Sequence, residues 1–396
     1  MKSRPAPAPA SAPVASGELQ IRPLVGGCLV GLAISWNIAN VGPLATLLAH
    51  HYGTTLTVVG LFTTVLFFAE LAVMVPGGRA IDRHGAKRVG LVAIAISLIA
   101  NLALLLPASP VPALVLRGVA GLGVGLGFLS GAIYVQSGTG QARALASGIY
   151  GGVSLGGGGL ALAIVPQLVS PLGWRAPYAS AAAVAALTIP LVLAAPPTPG
   201  HGGTVEGPRL AALMADPQLA RLGVVSTVSF GFSVILGNWV VTLLERHDGL
   251  HAGPAGAIGS LILLLGIVGR PAGGILVRAH PNLTRPLLAA SFLAGSLGTV
   301  VLFLAPGTAG DAAAAALIGA AAGIPFGFTI SAATRARPHA AGAAIGAMNI
   351  YPVLAIVCGA PLVGLTFSLT GRGRIGFAAV AALWSSAILV LKGLDI

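Results

Sequence analysis

The chain is a succession of long apolar stretches separated by short polar breaks, and that pattern constrains its fold more than any other feature. A helix that crosses a bilayer needs about 20 predominantly apolar residues. Twelve such stretches fit, over residues 24–49, 56–77, 89–106, 111–136, 144–169, 178–195, 218–244, 254–277, 287–305, 312–334, 340–369 and 375–391. Strand-like alternation is missing from them, and in hydrocarbon only helices or closed barrels satisfy their own backbone. The twelve stretches consume the 396 residues and leave nothing for a soluble catalytic domain. The expected fold class is therefore an all-α polytopic membrane protein.

Charge supports this reading and then orients it. Charged residues make up 8% of the chain, against about 25% in soluble domains. Lys and Arg number 21 against 9 Asp and Glu, a formal +12. In a soluble chain such a surplus points to nucleic acid; in so apolar a chain it reads as orientation instead. With the N-terminus inside, fifteen of the basic residues fall on the inner side. Four (Arg175, Arg246, Arg372 and Arg374) fall outside, and Arg117 and Arg270 lie within spans. Basic residues mark cytoplasmic loops, so both termini are expected in the cytoplasm of a plasma (inner) membrane protein. Cys28 and Cys358 lie far apart within apolar stretches and read as free thiols. His50, His51, His247 and His251 read as solvated residues at outer helix ends, without metal-ligand spacing, and no metal or cofactor is expected.

Residues 1–23, rich in Pro and Ala, read as a disordered cytoplasmic tail. The longest polar break, 196–217, separates six predicted helices (24–195) from six more (218–396). Shifting the sequence by 196 residues lays Thr46-Leu47-Leu48 on Thr242-Leu243-Leu244, His51 on His247, Gly53 on Gly249, Gly60 on Gly256 and Gly77-Gly78 on Gly273-Gly274. An internal repeat of this kind describes two parallel six-helix halves with a binding site between them near the bilayer midplane.

Between the second and third helices runs Gly78-Arg79-Ala80-Ile81-Asp82-Arg83-His84-Gly85-Ala86-Lys87-Arg88. Gly78 reads as a close helix contact and Gly85 as a tight turn. Asp82 is a lone acid able to face the positive end of a neighbouring helix, and the basic residues suit anionic lipid heads. This stretch resembles the helix 2–3 signature of the major facilitator superfamily, with Ala86 as one extra residue. Arg117-Gly118-Val119-Ala120-Gly121-Leu122-Gly123 in helix 4 resembles a second motif of that family, and Gly173-Trp174-Arg175 a third. The resemblance implies two pseudo-symmetric six-helix bundles and alternating access. It also implies a cytoplasmic gate built from Gly78, Asp82, Arg83, Gly85, Lys87 and Arg88. The second-half counterpart of Asp82 is Arg278, so that copy lacks the acid. Gly151-Gly152 and Gly156–Gly159 in helix 5, with Arg270-Pro271-Ala272-Gly273-Gly274 in helix 8, are similar to the cyanate-permease and nitrate–nitrite porter branch. A proline that marks antiporters in helix 5 is replaced here by Gly157.

Intramembrane polar residues are functional candidates. Glu70 is positioned to exchange a proton, or to serve as a structural partner of Arg270, one turn from its repeat equivalent Gly266. Arg270 is suited to planar carboxylates or oxyanions. Arg117 and Gly121 form the helix 4 motif, with helix packing as an equal reading for Arg117. Since helices 1, 4, 7 and 10 line the cavity in the family, the resemblance adds Trp36, Asn37, Asn40, Ser233, Asn238, Trp239, Phe326 and Thr329 as substrate-binding candidates. No Walker loop is present, so ATP drive is not indicated. The expected activity is secondary active transport of a small molecule by a monomer, not an enzyme. Proton-coupled uptake of a small anion stands first, proton-driven efflux of a hydrophobic compound second, and a non-transporting sensor is the alternative from another class.

Overall fold

The computed structural model describes residues 20–137, 143–198, 210–304, 307–337, 341–371 and 373–394. The expected tail (residues 1–19 of it) and residues 199–209 of the linker lie outside this set. All regular elements among the described residues are helical. Among the described residues, eleven apolar segments are long enough to cross a membrane. One of them, Leu145–Ala194, has 50 residues, or about 75 Å of helix against a hydrocarbon core of about 30 Å. It breaks at Pro166 and at Gly173, whose φ is +57°, and so contains two crossings, for twelve in all.

In chain order the spans are α1 (Ile21–His51), α2 (Leu56–His84), α3 (Ala86–Ala103), α4 (Pro110–Gln136), α5 (Arg143–Ile164), α6 (Ala176–Ala194), α7 (Pro217–Asp248), α8 (Ala252–Val277), α9 (Thr284–Leu304), α10 (Thr308–Ala336), α11 (Ala341–Thr366) and α12 (Arg374–Gly393). Several are broken. In α1 a 3₁₀ turn at Gly42–Leu44 includes Pro43, α7 carries a π turn at Thr227–Gly231, and α8 interrupts at Leu265. The expected boundary of α2 moves most. The helix continues through Gly77 and Gly78 to His84, so most of the stretch expected to be a loop is helical. Only Gly85, at φ +84°, separates it from α3.

The first six spans form one bundle and the last six another. In the first, α4 packs on α2 and α3, and α1 packs on α4, α5 and α6; in the second, α10 packs on α8 and α9, and α12 on α9. Both bundles use the same device. A Cβ on Gly121 of α4 would collide with the Leu66 carbonyl of α2, and one on Gly319 of α10 with the Leu261 carbonyl of α8. The bundles meet along three helix pairs: α1 with α7, α2 with α11, and α5 with α8. Large apolar residues such as Phe68, Ile99, Leu187, Val268, Leu297 and Leu383 face outward, while Asn37, Asn101, Arg117 and Asn238 are buried. This distribution suits a lipid solvent and would be costly in water.

Outside the spans, Asp216 caps the start of α7 by accepting from the Gln218 and Leu219 backbone N–H groups. It also accepts from Arg337 Nε at 3.1 Å and Nη2 at 2.6 Å, tying α7 to the end of α10. Burial raises its pKa, but the Arg337 hydrogen bond and the two backbone donors outweigh this and hold the carboxyl below its ordinary 3.8.

Two outcomes follow. Gly121→Ala and Gly319→Ala should each cost about 1–3 kcal/mol through overpacking, read as lower melting temperatures in detergent, whereas Gly118→Ala, with open space at its Cβ, should be neutral. Asp216→Asn keeps a cap but loses the Arg337 pair. It should melt below wild type at neutral pH, and because the folded-state pKa is depressed, the difference should close only as pH falls below the ordinary 3.8.

Candidate functional site

The centre of the molecule is set by glycines on α5. A Cβ on Gly152 would lie 2.9 Å from the Ile267 carbonyl oxygen, one on Gly159 2.8 Å from the Leu264 nitrogen, and one on Gly157 2.7 Å from the Leu32 carbonyl oxygen. The glycine run thus brings α5 into backbone contact with α8 on one side and α1 on the other. That approach allows the Gly151 carbonyl to accept a 2.8 Å hydrogen bond from Arg270 Nη1 across the bundle interface. The guanidinium carbon lies 3.9 Å from the centre of the Phe326 ring and 5.9 Å from that of Phe230. Arg270 is 3% exposed, and its Nε and Nη2 have no partner.

Arg270 borders a cavity between the bundles, lined also by Glu70, Phe128, Phe230, Phe326 and Asn349 and by Ser35, Ser154 and Ser226. About 30 Å³ of it is open to water-sized molecules, room for one or two waters. Glu70 is 3% exposed, and its Oε2 is unpartnered. The two ion pairs among the described residues are His247–Asp248 and Arg337–Asp216; the expected Glu70–Arg270 pair is not formed. A buried cation and a buried acid therefore face one small cavity without neutralising each other directly.

Among the expected cavity residues, Arg270 and Phe326 line this cavity and the others are placed elsewhere. Trp36 donates to Ser180 Oγ at 3.0 Å, Asn37 to Ser97 Oγ at 2.9 Å, and Asn40 to the Pro177 carbonyl at 2.8 Å. These bonds tie α1 to α3 and α6. On α7, Ser233 donates to Ser229 O, Asn238 accepts from Thr63 across the interface, and Trp239 donates to Ala360 O. Thr329 bonds its own helix at Phe326 O. Arg117, fully buried, donates to Asn37 O at 2.8 Å and to Asn40 Oδ1 at 3.4 Å. Nothing in the sequence singled out Ser226, Phe230 or Asn349. Ser226 and Phe230 flank and enter the π turn of α7, and such turns have no simple sequence signature.

At the basic end, the expected turn at Gly85 is present, and a Cβ there would strike the Thr198 carbonyl. Lys87 Nζ donates to the Leu193 and Ala195 carbonyls at 2.8 and 2.5 Å, capping the end of α6. Arg83 and Arg88 are exposed. The close contact expected at Gly78 is made instead one residue earlier by Gly77, against Leu126 of α4, and Gly78 faces open space. The side chains of Arg79, Asp82 and Arg278 lie outside the described residues. Two of the four histidines are less solvated than expected, His51 stacking on Trp174 at 3.7 Å and His247 bonding Asp248 at 2.8 Å, while His50 and His251 are exposed.

The two buried arginines should respond in opposite ways to replacement by Met. Arg117→Met leaves Asn37 O and Asn40 without their donor and should cost about 2–3 kcal/mol, lowering the melting temperature of the ligand-free protein. Arg270→Met removes a buried cation that has one hydrogen bond and two idle donors, and should leave the melting temperature unchanged or raise it.

The Major Facilitator Superfamily profile matches residues 27–360. The structure of a nucleoside transporter, NupG, superposes with a TM-score of 0.74 at 14% identity, covering 93% of this chain and 98% of that one. A D-xylose–proton symporter superposes with a TM-score of 0.77 at 15% identity, covering 94% and 97%. No curated protein matches the sequence. At these identities the two structures speak for the fold, and the profile, which spans most of the chain, speaks for the family: the chain belongs to the Major Facilitator Superfamily.

Proposed function

We propose that this secondary transporter takes up a small anion together with a proton, with Arg270 holding the anion and Glu70 carrying the proton. The observation that carries the reading is the pair of buried, mutually unpaired charges at one cavity between the bundles. Charged groups in a low-dielectric interior persist only when they are balanced or used. An anion at Arg270 neutralises the guanidinium and leaves Glu70 facing it; a proton on Glu70 then restores balance. Because the cavity now admits only about 30 Å³ of water-sized space, a solute enters only when the bundles separate, as alternating access requires. The three interface pairs α1–α7, α2–α11 and α5–α8 supply the surfaces that part. By the positive-inside rule, the end bearing Arg83, Lys87 and Arg88 faces the cytoplasm.

A second reading, export of a hydrophobic compound in exchange for protons, is favoured by the aromatic walls Phe128, Phe230 and Phe326.

Proteoliposomes with an imposed inward proton gradient test both readings. Labelled benzoate, as the probe anion, should accumulate in a gradient-dependent manner beyond the passive entry of benzoic acid measured in protein-free liposomes, and show counterflow above that background, which a non-transporting sensor would not. Glu70→Gln should lose at least tenfold of the gradient-driven accumulation while keeping counterflow, and Arg270→Met should lose both. Wild-type gradient response in Glu70→Gln would remove the proton role. Intact proton-driven export of a hydrophobic dye in Arg270→Met, with no anion flux in wild type, would establish the second reading.

A further inference from the structure

The hydrogen bonding of Arg270 specifies more than charge. A guanidinium presents two edges that match a carboxylate: the end-on pair Nη1/Nη2 and the side-on pair Nε/Nη2. Here Nη1 is engaged with the Gly151 carbonyl at 2.8 Å, so one nitrogen of the end-on pair is already partnered. Nε and Nη2, the side-on edge, are both buried and both without a partner. Phe326, its ring centre 3.9 Å from the guanidinium carbon, packs against the group and restricts its rotation. The side chain therefore offers two adjacent N–H donors at a cavity whose other walls combine aromatic, aliphatic and hydroxyl-bearing residues.

We infer that the substrate head group is a planar, singly charged carboxylate held side-on by Arg270 Nε and Nη2, with its apolar body against Phe128 and Phe230; this rests on the anion reading above. A carboxylate places two oxygens in the guanidinium plane with matching spacing. A tetrahedral oxyanion also spans two donors but sets a further oxygen out of that plane, where the rings of Phe326 and Phe230 pack 3.9 and 5.9 Å from the guanidinium carbon. An oxygen held against a ring face is desolvated there, a cost that the planar carboxylate avoids. The charge limit follows from Glu70. Among the cavity-lining residues Arg270 is the only cation and Glu70 the only acid, so a second negative charge on the substrate would have no counter-charge even with Glu70 protonated. Ser226 and Asn349, 3.5 Å apart across the cavity wall, add neutral hydrogen-bonding capacity for the body of the substrate.

The test separates shape from charge. Thermal-shift titrations of the full-length protein in detergent would use two matched pairs, acetate with methanesulfonate and benzoate with benzenesulfonate, plus malonate as a dicarboxylate carrying two charges. The carboxylate of at least one pair should stabilise the protein at tenfold or more lower concentration than its sulfonate, and malonate should be weaker than that monocarboxylate. Arg270→Lys keeps the charge but not the fork and should erase the preference for carboxylate over sulfonate; Arg270→Met should bind neither, and its ligand-free melting temperature reports that it is folded. Equal or tighter binding of the sulfonates, tighter binding of malonate, or an undiminished preference in Arg270→Lys would overturn the inference while leaving an anion transporter in place. No response to any of the five anions would overturn the anion reading itself.

Discussion

Close backbone contact at glycine is the interaction on which the other features of this molecule depend. In lipid, the hydrophobic effect does not drive helices together, and association relies on packing and on hydrogen bonds between helices. Gly121 on Leu66 O and Gly319 on Leu261 O lock equivalent helix pairs in the two bundles. The same device at Gly152 and Gly159 joins the bundles, on the surfaces of α5 and α8 that face each other. A β-carbon at any of these positions would push the helices apart. The Gly151 carbonyl would then no longer reach Arg270, and the free edge of the guanidinium would lose its orientation. The glycine run on α5 is thus a structural prerequisite for the site as well as a packing surface.

The two intramembrane arginines show how the same residue type is used in two ways. Arg117 is absorbed into a network that joins α1 to α4 through Asn37 and Asn40, with Asn101 donating to Asn37 Oδ1 at 2.7 Å. Its charge is spread over neutral acceptors that have few other partners. Arg270 spends one donor on holding its own position and keeps two idle at a cavity. A buried group that stays incompletely satisfied carries an energetic cost, and in a folded protein that cost is expected where a ligand completes the set.

The helical spans and the turn at Gly85 were legible in the sequence because each depends on local composition, and Glu70 and Arg270 stood out there as charges that hydrocarbon makes conspicuous. Facing direction was less legible. On α1, successive residues rotate by about 100°, so Ser35 and Ile38 share the face toward the cavity while Asn37 and Asn40 point some 200° away, into α3 and α6. Polarity alone marks both sets as candidates; only the neighbouring helices decide between them. On α7 Ser226 and Phe230, four residues apart, line the cavity, while the π turn at Thr227–Gly231 shifts the register of the residues after it, and the more conspicuous Ser233, Asn238 and Trp239 serve packing. The α2 boundary moved for a related reason: Pro76, Gly77 and Gly78 look like a stop, yet a proline within a membrane helix is tolerated where neighbours take up the freed backbone groups.

Charge balance links the proposed chemistry to the movement. On the proposed chemistry, an ionised Glu70 would offset Arg270 across the bundle interface when the cavity is empty, and the closed arrangement would then be neutral overall. An anion alone would leave the closed cavity with one unbalanced negative charge, which raises the free energy of closure by desolvation. A proton alone would leave Arg270 unbalanced, with the same effect. Only the empty and the doubly loaded states close at low cost. On this reading coupling needs no separate lever between the sites. It follows from the fact that the bundles must come together around whatever charge the cavity holds, and it makes one proton per monovalent anion the stoichiometry that the single Arg270–Glu70 set enforces.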